Sequence, residues 1–516
     1  MSKGLLGVAS AIALVTLLSK AVGFGRELVI AAVHGAGVAK DAYTAAYIIP
    51  SFALILLGGL TGPFHTATQR VVTSLREQGR GAEVPGVVVA LAAWVTLVMG
   101  GGAVLACLAA PALISAVASR APEPVFDLAV AQLRIMAPLI VMGGWVGILC
   151  GVSNDLGDFK RPSLSPLVAS VAVIGTVLWS SDPLMLAWGT LLGGIGQVLL
   201  QADAAVRLWR SRSPGTPPCP MRHPELRGIW QMLLPACVSS TVGTLAVVIG
   251  TNFASALPAG SISVFDYANK LVQLPLGVLM TALLIPLFPM LTRAVVSGDG
   301  EALRARLAQG VSAISLVSMP LVALFLSAGT PIVSLVYQRG AFTAADAEAT
   351  ARVLGLCALG IPAYAVRDLV VRVFYALNDG RTPLLVSVAS LAVTAAGMAM
   401  VVSRWGLDGL ALVTSGVTVL NCAATTWLLR RRLGAWPFGD GTGDAVRAAV
   451  AALVAGGAAH VTRLGLVGGS LPGGEAVLLV AQALVLAVAY TGSLAVLGLS
   501  PTRIRERLAT RRGAAA

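Results

Sequence analysis

The residues of this chain that could do chemistry are charges set in apolar surroundings. Lys20, Arg26 and Glu27 fall in SKAVGFGRE, deep within an apolar run that begins near residue 5. An ionisable group at the centre of a hydrocarbon layer costs about 2.5–3.5 kcal/mol on insertion scales, so such groups face a cavity or a partner. Their chemistry is ion pairing and ligand contact. Lys20 and Glu27 share one helical face, whereas Arg26 points elsewhere unless the helix is broken. Gly23 and Gly25 lower helix propensity there and allow a bend or the close approach of another helix. The competing reading is that these charges snorkel to an interface. Asp266 and Lys270 stand at an i,i+4 spacing with Gln273 on the same side, which suits a self-satisfied pair as well as a ligand site. Arg367, Asp368 and Arg372 cluster near Pro362. Asp368 and Arg372 can pair, which leaves Arg367 either uncompensated or close to a membrane surface.

Bond-making motifs are missing. There is no Gly-Lys dipeptide and so no phosphate-binding P-loop, and none of His34, His65, His223 and His460 precedes a glutamate as a zinc-binding HExxH would require. GFGRE lacks the third glycine of a dinucleotide fingerprint. The six cysteines (Cys107, Cys150, Cys219, Cys237, Cys357 and Cys422) form no CxxC pair and lie mostly in apolar runs, so neither a disulfide framework nor a metal site is expected. No cofactor is expected, and the chain is not its own ATPase.

The elements that must position these charges are membrane helices. Of 516 residues, 57% are hydrophobic and 11% charged, against roughly 45–50% and 25% in soluble domains. A mean hydropathy of +0.85 over this length implies more than ten spans of about 20 apolar residues each. Apolar segments rich in Gly and Pro and poor in aromatics suit packed helices better than alternating barrel strands. The expected fold is an all-α polytopic membrane protein of about fourteen transmembrane helices. The first span, 5–33, reads as uncleaved. Spans 2, 8 and 10 lie near 41–72, 262–293 and 350–376, and spans 11 and 12 near 383–403 and 408–429. With the N-terminus inside, about 23 Lys and Arg residues fall on the cytoplasmic side and about 6, Lys40 among them, outside. Both termini are therefore expected in the cytoplasm, and the formal charge of +13 needs no nucleic-acid partner. The Pro-rich stretch RSRSPGTPPCPMRHPE reads as a linker. The expected organisation is an N-terminal lobe 1–209, a cytoplasmic linker 210–228, a C-terminal lobe 229–432, a helix pair 433–500 and a basic cytoplasmic tail 501–516.

An internal repeat supports two lobes. Pro138 and Pro362 each precede an Asn-Asp pair by sixteen residues, Asn154-Asp155 and Asn378-Asp379, and each pair leads into VASVAV or VASLAV. Six spans per lobe give both the same orientation, the parallel-repeat plan of transporters with a central site. Gly-Gly stretches such as Gly100 to Gly102 and Gly193-Gly194 read as helix-packing contacts.

At SKAVGFGREL, GAGVAKDAYTAAYIIPSF, VYQRGAFTAADA and RVFYALNDGRTP, the chain resembles the lipid II flippase family (MurJ, also called MviN) of the multidrug/oligosaccharidyl-lipid/polysaccharide exporter superfamily. The resemblance implies two six-helix lobes plus a final pair, in a bacterial inner-membrane protein acting as a monomer. It implies export of lipid II, an undecaprenyl-diphosphate-linked muropeptide, from the inner to the outer leaflet, with cavity arginines on the diphosphate and the last two helices cradling the polyprenyl tail among membrane lipids. Carried over by position, Arg26, Lys20 and Lys270 would hold the diphosphate, Glu27 would limit the net charge, and Asp41 matches the acid of the GAG-xxx-DA segment. Leu54 stands where many members have arginine, Glu27 replaces a frequent aspartate, and Asn269 and Gln273 replace acids. Two other functions fit less of the chain. An exporter of another lipid-linked oligosaccharide or a drug would share the lobes without GAFTAADA and FYALNDGRTP. A membrane enzyme on lipid diphosphates would need a cluster of acids or histidines near one membrane face.

Overall fold

A computed structural model describes residues 3–57, 63–210, 224–467 and 474–499. Most of the expected linker and the whole basic tail lie outside these residues. Among the described residues all regular structure is helical, in nineteen α-helices. Among the described residues, ten helical segments are long and apolar enough to cross a membrane.

The chain divides into two compact units, Met1–Ser263 with Arg339–Phe342, and Val264–Gln338 with Thr343–Ala516. The first contains α1 (Lys3–His34), α2 (Val38–Leu57), α3 (Pro63–Glu77), α4 (Val84–Leu108), α5 (Ala110–Val117), α6 (Glu123–Met136), α7 (Leu139–Asp155), α8 (Lys160–Trp179), α9 (Leu184–Leu200), α10 (Ala202–Arg210) and α11 (Pro224–Ala254). The repeat assigns α11 to the second half of the chain, yet it packs on α2, α3 and α5. Helix α12 (Ser261–Leu279) begins in the first unit and runs on into the second. There follow a π-helical turn at Met280–Leu284, then α13 (Ile285–Val296), α14 (Gly300–Tyr337), α15 (Ala344–Ala358), α16 (Ile361–Ala376), α17 (Arg381–Leu433), α18 (Gly441–Val467) and α19 (Gly474–Val496).

Helices α8 and α9 share one of the most extensive contacts of the first unit, because small residues let their backbones touch. A Cβ on Gly193 would lie 2.9 Å from Ala169 Cα, and one on Gly189 only 2.8 Å from Val173 Cα. The packing expectation holds for Gly193-Gly194, where a Cβ on Gly194 would meet Leu139. It fails at Gly100 to Gly102, which have open space where a Cβ would go.

Helix α17 is two spans in one. A straight helix of its 53 residues would be about 80 Å long, far beyond a bilayer core of about 30 Å. Gly406, with φ 54° and ψ −133°, adopts a conformation open essentially to glycine alone, and the chain reverses there. Residues on either side of it meet: Asn421 donates to Ser390 at 2.8 Å, and a Cβ on Gly397 would touch Val413. The arms correspond to expected spans 11 and 12. In the same unit α18 and α19 pack on α14, pinned by Tyr490, whose hydroxyl donates to Leu316 O, and by Gln482, which donates to Ser327 O and Ala459 O.

The repeated Asn-Asp pairs are not structural equivalents. Asp155 ends α7 and binds Thr73 and Arg76 of α3. Asp379 instead lies beyond α16 and accepts the amide and hydroxyl of Thr382 at the start of α17. The residue that does this for α8 is Asp158, which accepts the amides of Lys160 and Arg161. Left-handed Gly157 precedes Asp158 as left-handed Asn378 precedes Asp379. Three extra residues in the first copy therefore shift the register, and the cap, not the Asn-Asp pair, is what repeats.

Two consequences can be measured. Gly189→Val should lower stability by about 1–3 kcal/mol or more through overpacking, read as a fall in unfolding temperature in detergent. Gly101→Ala should be neutral or stabilising by up to about 1 kcal/mol. The second concerns Asp379, which lies outside the spans. The amide of Thr382, then its hydroxyl and the Arg432 guanidinium, hold its carboxyl below the usual carboxylate range. A carboxyl depressed in the folded state stabilises above its unfolded value near 4 and loses that contribution as pH falls through the folded value. Asp379→Ala should thus cost about 0.5–2 kcal/mol at neutral pH, with the difference from the parent chain vanishing in acid.

Candidate functional site

Helix α1 runs unbroken through Gly23 and Gly25. A Cβ on Gly23 would come within 3.8 Å of Ser170 on α8, while Gly25 faces open space. Without a break, Arg26 reaches its neighbour by folding its side chain along the helix. Its Nε and Nη2 donate to Glu27 Oε1 at 3.2 and 2.8 Å. Arg26 is therefore not the unpartnered arginine that face geometry suggests.

The other oxygen of Glu27 is shared with a residue read in the sequence as an outside loop charge. Lys40 Nζ lies 3.7 Å from Glu27 Oε2, and Lys40 is 1% exposed. It stands in the first turn of α2, where the helix dipole opposes a cation, and it is held there by Glu27 and by the face of Tyr43, 5.4 Å away. Tyr43 is fixed in turn by a 2.9 Å hydrogen bond with Thr190 of α9 and by stacking on Tyr47. One buried carboxylate thus serves two cations. Arg26 is the accessible member of the group, with 23% of its side chain exposed against 6% for Glu27. A guanidinium so placed can take an anionic oxygen on its remaining donors.

The structure brings together Arg26, Glu27 and Lys40. Lys20 is exposed, about 9 Å farther along α1 at 1.5 Å per residue. Lys270, in the second unit, binds Asp266 at 2.7 Å, as their spacing predicts. Asp368 and Arg372 pair likewise at 2.9 Å. Arg367 meets no carboxylate among the described residues. Its guanidinium donates to Asn421 Oδ1 at 3.0 Å and Ser387 Oγ at 3.1 Å, one on each arm of α17, so it clasps the helical hairpin.

Asp41, next to Lys40, faces a different set of partners. Its Oδ2 accepts the amide of Gly260 at 2.6 Å, and its Oδ1 accepts both the amide of Ser263, at 2.7 Å, and the Ser263 hydroxyl. The surrounding loops approach without side chains in the way. Gly260, at φ 96°, would put a Cβ 2.6 Å from Ala36 O, and Gly340, at φ 57°, would put one 2.1 Å from Ala32 O. Ala341 N donates to that same Ala32 oxygen at 2.7 Å. The ends of α1 and α2 are thereby clamped to segments 260–263 and 339–342, all within the first unit. Lys40 and this clamp were invisible to hydropathy. The available signal was a lysine and an aspartate side by side in the first turn of a helix.

The family model described as "Lipid II flippase MurJ" matches residues 30–470. A probable lipid II flippase MurJ of Synechocystis sp. is 34% identical over 459 residues, covering 85% of this chain and 84% of that protein. The lipid II flippase MurJ of Burkholderia cenocepacia is 30% identical over 429 residues, with 81% and 82% covered. In fold the chain is similar to a solved lipid II flippase MurJ in an inward closed conformation, with a TM-score of 0.76 and 18% identity over 94% of this chain and 98% of that one. It is also similar to an inward-facing multidrug resistance MATE family transporter, with a TM-score of 0.63 and 15% identity over 81% and 94%.

The shared carboxylate makes a double-mutant prediction. Glu27→Gln takes the carboxylate from beside two cations, one of them the fully buried Lys40, and should destabilise the chain by about 3–5 kcal/mol. Adding Lys40→Met should recover much of that loss, because the buried cation that faced Glu27 is gone. Unfolding temperatures of the single and double variants in detergent measure the coupling, and additive effects would show that Glu27 and Lys40 do not interact.

Proposed function

The chain belongs to the lipid II flippase MurJ family, and on that basis we propose that it carries lipid II from the inner to the outer leaflet of the bacterial cytoplasmic membrane, with both termini in the cytoplasm. The observation that carries the reading is the accessible guanidinium of Arg26, held by the buried Glu27 that also faces the buried Lys40. A diphosphate cannot enter hydrocarbon unaided, whereas a polyprenyl tail is at home there. Only the head group needs a cationic surface. Arg26 is the principal diphosphate contact, because its guanidinium offers a bidentate fork. Lys20 and Lys270 contribute as point charges, the latter weakened by Asp266. Glu27 keeps the net charge low, and the buried Lys40 secures Glu27. The clamp of Asp41 on Gly260 and Ser263 closes the outer side in one state of an alternating-access cycle, and its opening releases the head group. Transport, not bond-making, is the activity.

The fold likeness to a MATE transporter favours a second reading, export of another lipid-linked oligosaccharide or a drug by the same cycle. Binding to purified protein separates the two: lipid II should bind more tightly than undecaprenyl monophosphate, and cationic drugs should not compete.

A charge-assisted hydrogen bond is worth about 1.5–3 kcal/mol. Arg26→Ala should therefore weaken lipid II binding roughly ten- to over a hundredfold, with Arg26→Lys intermediate and Lys270→Ala smaller. Complementation of a flippase-depleted bacterium, scored beside membrane expression, should follow the same order. Normal lipid II binding and growth with a well-expressed Arg26→Ala would refute the assignment.

A further inference from the structure

The first unit contains an apolar cavity of about 280 Å³ bordered by α4, α7, α9 and α10, remote in sequence from Arg26, Glu27 and Lys40. Val88, Ala92, Trp145, Leu149, Leu208 and Trp209 are among the residues that line it. The indole of Trp145 donates to the Thr96 hydroxyl at 3.0 Å, so its one polar atom is already engaged. Helical backbone on every bordering element keeps its own hydrogen bonds, and nothing in the cavity asks for a polar ligand. On α4 its lining runs from Pro85 to Ala92, about 10 Å at 1.5 Å per residue. Leu208 and Trp209 line it from the last turn of α10.

The same last turn carries the charge. Arg207 is bound to Asp203 at 2.7 Å, and Asp203 also takes Arg161. Arg80, before α4, is engaged with Glu83 and Glu225. Arg210 is exposed and follows directly on the two cavity-lining residues, with no carboxylate near it among the described residues. We propose that this cavity holds one acyl chain of an anionic glycerophospholipid, with the lipid phosphate on Arg210. An apolar slot beside an exposed arginine and a tryptophan at a helix end matches that ligand in polarity and charge. The inference does not depend on which substrate is carried.

The two tryptophans report occupancy. The full-length protein in detergent micelles would be titrated with brominated-chain phosphatidylglycerol or brominated-chain phosphatidylcholine, and the contributions of Trp145 and Trp209 to the fluorescence quenching isolated by difference with Trp145→Phe and Trp209→Phe. Quenching of these two residues should saturate, at a mole fraction of phosphatidylglycerol at least about fivefold below that of phosphatidylcholine, as one charge-assisted phosphate contact predicts. Arg210→Gln should abolish the difference between the lipids. Ala92→Phe, or Val88→Phe if the first does not fold, should fill the cavity and remove the saturable component while helicity stays that of the parent. Equal quenching by both lipids, or a preference that survives Arg210→Gln, would overturn the proposal and reduce the cavity to ordinary lipid contact. Tighter quenching by a brominated polyprenyl phosphate than by phosphatidylglycerol would overturn it in favour of the substrate tail.

Discussion

One carboxylate between two cations is the constraint from which the first unit's polar interior follows. Glu27 gives one oxygen to Arg26 and turns the other toward Lys40, so a single acid orders both basic side chains. Lys40 is buried, with the Tyr43 ring and Glu27 beside its ammonium. Arg26 stays accessible. That division of roles needs Glu27 on the face of α1 that meets α2, since its second oxygen must reach Lys40. It also needs α2 to present its first turn to α1, and the Asp41 clamp fixes the start of that helix.

Asp41 and Glu27 are both buried acids near the same end of the first unit, yet their surroundings give them opposite tasks. Glu27 faces cations, so its removal leaves charge behind. Asp41 faces amides and a hydroxyl, which are neutral donors, so its bonds can part without stranding a cation among these partners. An interaction meant to open and close is better built from the second kind than from the first, because exposing or burying a salt bridge carries a larger desolvation term in each direction.

Most of the architecture was legible in composition. Apolar runs and their polar breaks disclosed an all-helical membrane protein, and the i,i+4 spacings of Asp266 with Lys270 and Asp368 with Arg372 foretold ion pairs that the structure contains. What was not legible depends on three-dimensional neighbours. Lys40 looks like a loop cation because hydropathy cannot see a burial supplied by another helix. Arg26 looks unpartnered because face geometry ignores how far an arginine can fold back toward the next residue. Gly100 to Gly102 and Gly193-Gly194 are alike as strings, and only the presence of α8 beside the second separates packing from open space. The Asn-Asp repeat misled by three residues, since a helix cap tolerates an insertion upstream of it while the letters do not.

The reversal at Gly406 bears on how the chain enters the membrane. With a single residue turning α17 back on itself, the two arms have no tether long enough to let one settle while the other waits outside. Arg367, from the preceding helix, binds both arms, and Asn421 and Ser390 join them directly. Asn421 and Ser390 satisfy one another across the arms, and hydroxyls such as those of Thr394 and Thr414 bond carbonyls of their own arm, so the pair meets hydrocarbon as a ready-made hairpin. During synthesis the first arm therefore has to linger at the insertion machinery until the second has emerged. Biogenesis of this part of the protein is a concerted event, set by one glycine.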